Sequence, residues 1–174
     1  MAERIIVRLG DPILRERSKP VPVVNANIEK ILNDMAETIY ADKGRAGLSA
    51  IQIGIAKQLI VMDCGDGLIE LINPTMLEMS GEQEGPEACL SIPGVVGVVK
   101  RAEYVKVQTL NRAGETMTIE AEGFLARCIQ HEMDHLQGIL FIDYVEELYS
   151  AKTGKKLKPQ DASPILMQQR RIFR

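Results

Sequence analysis

Apolar residues recur at helical spacing early in the chain, where Ile28, Ile31, Leu32, Met35, Ile39 and Tyr40 fall on one face. Asn25 or Asn27 can cap such a helix and Gly44 lies beyond its end, so the pattern predicts a helix over residues 27–42. Before it, Gly10-Asp11-Pro12 and Lys19-Pro20-Val21-Pro22 read as loop. From residue 58 to 120 the helical period gives way to short β-rich runs broken by turn residues. Strands are predicted over 58–62 and 68–72, paired as a hairpin around Asp63-Cys64-Gly65-Asp66-Gly67, with Asn73-Pro74 ending the second. Others are predicted over 95–100, 104–110 and 116–120, the last two joined by Asn111-Arg112-Ala113-Gly114. Helical spacing returns after Gly123. There Phe124, Cys128, His131 and His135 follow one another at intervals of four, three and four, an apolar stripe that carries two histidines, with Gly138 suited to the C-terminal end. Residues 139–145 read as a short strand or loop, and 165–172 as a last helix started by Ser163-Pro164. A block of strands beside a few helices favours a single-domain α+β fold, antiparallel strands around a central helix, over the alternating βαβ class.

Two stretches fit neither period. Gly47-Leu48-Ser49-Ala50-Ile51-Gln52-Ile53-Gly54 surrounds one amide with small side chains, which suits either the close approach of another backbone or a tight inter-strand contact. Residues 84–94 are punctuated by Gly85, Pro86, Pro93 and Gly94, so Cys89 is expected on an irregular segment.

At 174 residues, 45% hydrophobic and 26% charged, the chain has the size and balance of one globular domain. Its formal charge of −3 excludes any overall attraction to DNA or to a membrane surface. That charge is unevenly spread. Residues 151–174 hold Lys152, Lys155, Lys156, Lys158, Arg170, Arg171 and Arg174 against Asp161 alone, a tail of +6 on a body, residues 1–150, of −9. Three cysteines without a Cys-x-x-Cys pair point away from a disulfide framework, and neither a secretory signal nor a spanning segment is legible, so a cytoplasmic protein is expected.

The chemistry concentrates in Gln130-His131-Glu132-Met133-Asp134-His135-Leu136-Gln137-Gly138, which holds both histidines of the chain. On a helix, His131 and His135 share a face and can converge on one cation, while Glu132, about 100° round, can reach a water on that cation. A hydrolytic metal site normally takes a third protein ligand. The spacing that supplies a third histidine after the glycine is excluded, because position 141 is Phe141 and no other histidine exists. Cys128 is seven residues from His135, about 10 Å along the axis, too far to share an ion with both histidines. Cys64 falls in the hairpin turn. Cys89 offers a soft thiolate, although residue type alone leaves it equally an inert buried cysteine. A zinc peptidase would instead use a downstream glutamate, for which Glu146 and Glu147 are the near candidates.

Three ordered motifs, with Gly10-Asp11-Pro12-Ile13-Leu14-Arg15 ahead of them, resemble the peptide deformylases. Arg45-Ala46-Gly47-Leu48-Ser49-Ala50-Ile51-Gln52 is similar to that family's G-x-G-L-A-A-x-Q, Glu87-Ala88-Cys89-Leu90-Ser91 to its E-G-C-L-S, and Gln130 to Gly138 to its Q-H-E-x-D-H-L-x-G. The resemblance implies a metallohydrolase that removes the formyl group from the N-terminal methionine of new chains, with residues 1–150 as its catalytic domain. It implies Cys89, His131 and His135 as metal ligands and Glu132 as acid/base. Gln52 and the Leu90 N–H become oxyanion donors, and Ala46, Gly47, Ala88, Phe124 and Cys128 contact the substrate. The implied native metal is Fe²⁺, with Zn²⁺, Ni²⁺ or Co²⁺ as substitutes, and the implied partners are formylmethionyl nascent peptides and, through the basic tail, the ribosome. Arg45 and Ala88 stand where the family has glycine, Ser49 where it has alanine and Ile51 where it often has proline. The competing expectations are a zinc peptidase and a non-catalytic paralogue.

Overall fold

A computed structural model of the chain describes residues 2–170. After a 3-10 turn at Pro12–Arg15, the first long element is α1 (Ala26–Tyr40), started where the Asn25 side chain accepts a hydrogen bond from Ile28 N at 3.0 Å. Then come β1 (Gly47–Ser49), β2 (Leu59–Met62), β3 (Ile69–Ser80), β4 (Gln83–Cys89), β5 (Ile92–Arg101), β6 (Tyr104–Leu110) and β7 (Thr116–Glu122). The chain continues through α2 (Gly123–His135), a 3-10 turn at Phe141–Tyr144, β8 (Tyr149–Ser150) and α3 (Pro159–Leu166). Every strand pairing is antiparallel, in a five-stranded sheet ordered β1-β2-β3-β6-β7 and a three-stranded sheet ordered β4-β5-β8. The fold is α+β, as expected.

Three local expectations need correction. Asn73-Pro74 does not end β3, because Asn73 takes a positive φ of 50° at a register shift and the strand runs on to Ser80. The Asn73 side chain there ties the Val21 backbone to β3, accepting from Val21 N at 2.7 Å and donating to Val21 O at 2.8 Å. Cys89 lies at the end of a paired strand, just past a register shift after Glu87, rather than on an unpaired segment: Gly85 and Pro86 pair with Val99 and Val98, and β4 is an edge strand, where a proline is tolerated. Of the strand or loop expected over residues 139–145 the loop is found, with a 3-10 turn at Phe141–Tyr144. The last helix starts at Pro159, which has the preset φ of a first helical residue, and encloses Pro164 rather than beginning beside it. The expected span to residue 172 runs outside the described residues.

The core is built as three apolar clusters. In one, α1 sets Ile28, Leu32, Met35 and Ile39 against Leu48 of β1 and Leu59 and Val61 of β2. In another, Ala126 and Ile129 of α2 meet Ile60, Met62, Leu71, Val105 and Val107 of the larger sheet. The third joins Cys89, Val95 and Val99 of the smaller sheet to Leu140, Phe141 and Ile142, with Ile165 and Leu166 of α3 against it. Gly138 fixes the exit from α2: its φ is +71°, and a Cβ there would stand 2.5 Å from the Arg15 carbonyl oxygen. Among the described residues no helix is long and apolar enough to cross a membrane.

Candidate active site

The helix α2 buries polar groups where α1 buries mostly apolar ones: Arg127, Gln130, His131, Glu132 and His135 are all enclosed. Glu87 and Cys89 of β4 partner Arg127, His131 and His135, Ser49 of β1 partners Glu132, and Arg127 and Gln130 also bond Val99 O of β5 and Ala102 just after it. The His131 and His135 rings stand 5.2 Å apart, centroid to centroid, and Cys89 Sγ at the end of β4 lies 3.5 Å from His135 Nε2. One ligand atom from each of Cys89, His131 and His135 lies within 4.8 Å of the others, and all three residues are buried. A thiolate and two imidazoles are donors that zinc and ferrous iron both accept. Moreover, His135 Nδ1 is buried with no hydrogen-bond partner among the described residues, so the ring is not held by a polar network of its own.

His131 is oriented by Glu87, whose Oε1 is 2.8 Å from His131 Nδ1, an arrangement that leaves Nε2 for an ion. Burial would push the Glu87 carboxyl up, yet hydrogen bonds from Arg101 and His131 hold it well below the usual carboxylate range. Arg101 donates to both Glu87 oxygens at 2.7 and 2.8 Å and to Asp134 at 2.7 Å, and Arg127 reaches Glu87 at 2.7 Å. Tyr144 completes this network, donating to Asp134 at 3.0 Å with its ring under the Arg101 guanidinium. Burial pulls the His131 pKa down, but hydrogen bonds to Cys89 and Glu87 outweigh it and hold the value well above the ordinary one. Burial and the positive charge of His131 drive His135 the other way, toward the neutral imidazole.

Glu132 is fully enclosed, and burial raises its pKa. Ser49 Oγ lies 2.9 Å from the Glu132 carboxylate and 2.9 Å from its carbonyl oxygen, bonding β1 to α2. Gly47 explains how the strand comes so near: a Cβ there would stand 3.1 Å from Glu132 Oε1. The small side chains of this stretch thus make room for the Glu132 side chain. Gln52, in a 3-10 turn at Ala50–Ile53, accepts from Ser49 N at 3.0 Å and donates to Ser91 Oγ at 3.1 Å and Cys89 Sγ at 3.5 Å. Leu90 is the first residue of the two-residue turn from β4 to β5.

Ala46, Gly47, Ala88, Leu90, Phe124 and Cys128 line a cavity of about 1190 Å³ that also reaches Cys89, His131 and Glu132. Gln52 is not among the residues that line it, but its Nε2 reaches the Sγ of Cys89, which is. The stripe read on α2 is apolar only in part, since Phe124 at the cavity rim is 58% exposed. Arg45 also lines the cavity, and its guanidinium donates to Thr38 O of α1 at 2.6 Å. Ala88 is exposed and has no positive φ, so a side chain is carried there without backbone strain. Glu146 and Glu147 are exposed, outside the Cys89, His131 and His135 cluster, and Glu147 pairs with Lys156 at 2.8 Å, which removes the ligand a zinc peptidase would need.

Sequence reasoning missed Ser49 as a partner of Glu132 and the whole Glu87, Arg101, Arg127 and Asp134 network. Ser49 carried a signal, a hydroxyl inside a run of apolar and small residues. Arg101 carried none, because a charged residue at the end of a β-rich run reads as exposed.

A polypeptide deformylase family model matches residues 3–151. A peptide deformylase of Carboxydothermus hydrogenoformans is 53% identical over 148 residues, 85% of this chain and 97% of that protein. The peptide deformylase of Thermotoga maritima superposes with a TM-score of 0.81 at 40% identity, covering 84% of this chain and 99% of the other. That of Synechococcus elongatus, solved in complex with actinonin, does so with 0.85 at 35% identity, covering 99% and 92%. The chain belongs to the polypeptide deformylase family, the metal-dependent hydrolases that remove the N-formyl group from newly made peptides.

Proposed function

We propose that Cys89, His131 and His135 hold one divalent ion, Fe²⁺ in the native protein, and that Glu132 is the acid/base of deformylation. The observation that carries this reading is the buried convergence of those three ligand atoms beside an enclosed carboxylate, at the end of a cavity open to solvent. When bound, such an ion supplies Lewis acidity toward the formyl oxygen and toward the attacking water. Glu132 takes the water proton and returns it to the leaving amine, a role suited to a carboxyl whose pKa is raised by burial. Ser49 keeps that carboxylate in place. Gln52 Nε2 and the Leu90 N–H flank Cys89 and donate to the oxyanion as it develops.

The cavity runs between β1 and β4, each the edge strand of its sheet. A formylmethionyl peptide added there as an extended strand passes between Gly47 and Ala88, with its methionine side chain toward Ala46, Phe124 and Cys128. The test is formate release from formyl-Met-Ala-Ser by protein purified without oxygen and assayed for metal. Turnover tracking iron content supports the reading, and full activity with zinc alone contradicts the choice of iron.

The same reading places the enzyme in the cytoplasm at the ribosome, held by the basic tail. Lys152, Lys155 and Lys158 are exposed, whereas Lys156 and Arg170 already have partners on the body and Arg171 and Arg174 lie outside the described residues. Removing residues after 145 should lower ribosome co-sedimentation, most at low salt. Equal co-sedimentation of both forms removes that role from the tail.

A further inference from the structure

No residue of Gly10-Asp11-Pro12-Ile13-Leu14-Arg15 lines the cavity, yet the segment that carries them is bonded to all three motifs of the site. Val7 N donates to Gln52 O at 2.7 Å, Leu9 N to Ser91 O at 2.9 Å and Ser18 N to Leu136 O at 2.9 Å. Between these, Asp11 caps the 3-10 turn at Pro12–Arg15, its Oδ1 accepting from Ile13 N at 3.1 Å, and the turn buries Leu14. Arg15 is thereby brought to the end of α2, where carbonyls lack partners within the helix and a cation is favoured. Its Nη1 donates to Gly138 O at 2.9 Å, and Gly138 N in turn donates to the carbonyl oxygen of His135 at 3.1 Å. The same guanidinium grips both oxygens of Asp143, at 2.7 and 2.9 Å, and donates to Gln168 O at 2.7 Å. The Asp143 side chain is enclosed, and it also accepts from Leu140 N at 3.0 Å and Arg170 N at 2.8 Å. A two-pronged contact of this kind fixes direction as well as distance.

We propose that Arg15 is a positioning residue for deformylation: through Gly138 it fixes the end of α2, and so the place where His135 and Cys89 meet the ion. This rests on the reading of Cys89, His131 and His135 as ligands and adds a residue outside that set. The two histidines differ in what aims them. Glu87 orients the His131 ring at Nδ1, whereas His135 Nδ1 has no partner among the described residues. The direction of the His135 ring therefore comes from the backbone that carries it, and that backbone is held by Gly138 and Arg15. A ligand has to stay within about 0.5 Å of its working position, so a loosened helix end is felt at the ion.

The experiment loads wild type, Arg15→Ala, Arg15→Lys and Leu14→Ala with Co²⁺ and records the visible spectrum of the ion, its affinity by competition with a chelator, and the unfolding midpoint. Leu14→Ala is the control, because it opens a cavity in the same turn and removes no bond to Gly138. Arg15→Ala should weaken Co²⁺ binding by about 10-fold and alter the spectrum, and kcat for formyl-Met-Ala-Ser should fall while KM holds. Arg15→Lys keeps the charge and loses the two-pronged grip, so it should show the same changes to a smaller degree, and it serves alone if the alanine variant does not fold. Leu14→Ala should lower the midpoint and keep the wild-type spectrum and affinity. The proposal is overturned if the folded Arg15 variants bind Co²⁺ with the wild-type spectrum and affinity, or if Leu14→Ala at equal loss of stability shows the same changes. A wild type that takes up no Co²⁺ overturns the ligand reading and the positioning role with it, and is told apart by failing before any substitution is made.

Discussion

The two long helices of this chain, α1 and α2, are of similar length and are both well buried, yet they are held by different physics. The inner face of α1 is apolar except for Asp34 and Thr38, and its stability comes from area removed from water, about 25 cal/mol for each Å². The inner face of α2 is mostly charged or polar. Enclosing Arg127, His131, Glu132 and His135 costs desolvation, which the helix offsets with ion pairs from Glu87 and Arg101 and the hydroxyl of Ser49. A helix that spends burial on polar groups is organised for chemistry, and the contrast can be broken from either side.

The largest effect belongs to Glu132→Gln. An amide keeps the shape and a hydrogen bond to Ser49 but cannot accept the water proton, so turnover should fall by about 10²–10⁴ with metal content unchanged. Wild-type turnover measured on metal-replete variant would remove Glu132 from the acid/base role.

Next comes Glu87→Gln, which leaves His131 Nδ1 a hydrogen-bond partner but strips the charge that Arg101 and Arg127 surround. Metal affinity should weaken by about 10–100-fold, read by competition with a chelator, the range typical for partners that orient a ligand. On α1 the matching change is Leu32→Ala, at a fully buried site. It should cost about 2–5 kcal/mol in denaturant unfolding while leaving kcat close to wild type. A large fall in kcat at unchanged stability would mean that α1 is not the scaffold described.

The same contrast explains what could be read in advance. The face of α1 was legible because burial follows hydrophobicity there, with Ile28, Leu32, Met35 and Ile39 all in the core and the ends misjudged by one or two residues. His131, Glu132 and His135 were legible for the opposite reason, their residue types at a fixed spacing. Cys89 was not placed by local pattern, since Gly85 and Pro86 read as loop and only edge pairing with β5 makes them strand. Arg101 was invisible because its partners, Glu87 and Asp134, are 14 and 33 residues away in sequence. Non-local pairing of charges leaves no period along the chain.

The central claim is that the buried polar face of α2 exists to hold an ion together with Cys89. Elemental analysis of Cys89→Ala, beside wild type prepared identically without oxygen, addresses it most directly. The expected result is about one ion per chain in the wild type and almost none in the variant, with the circular dichroism of both alike, because two histidines alone seldom hold a catalytic metal. Wild-type metal content in a folded Cys89→Ala protein would contradict the account.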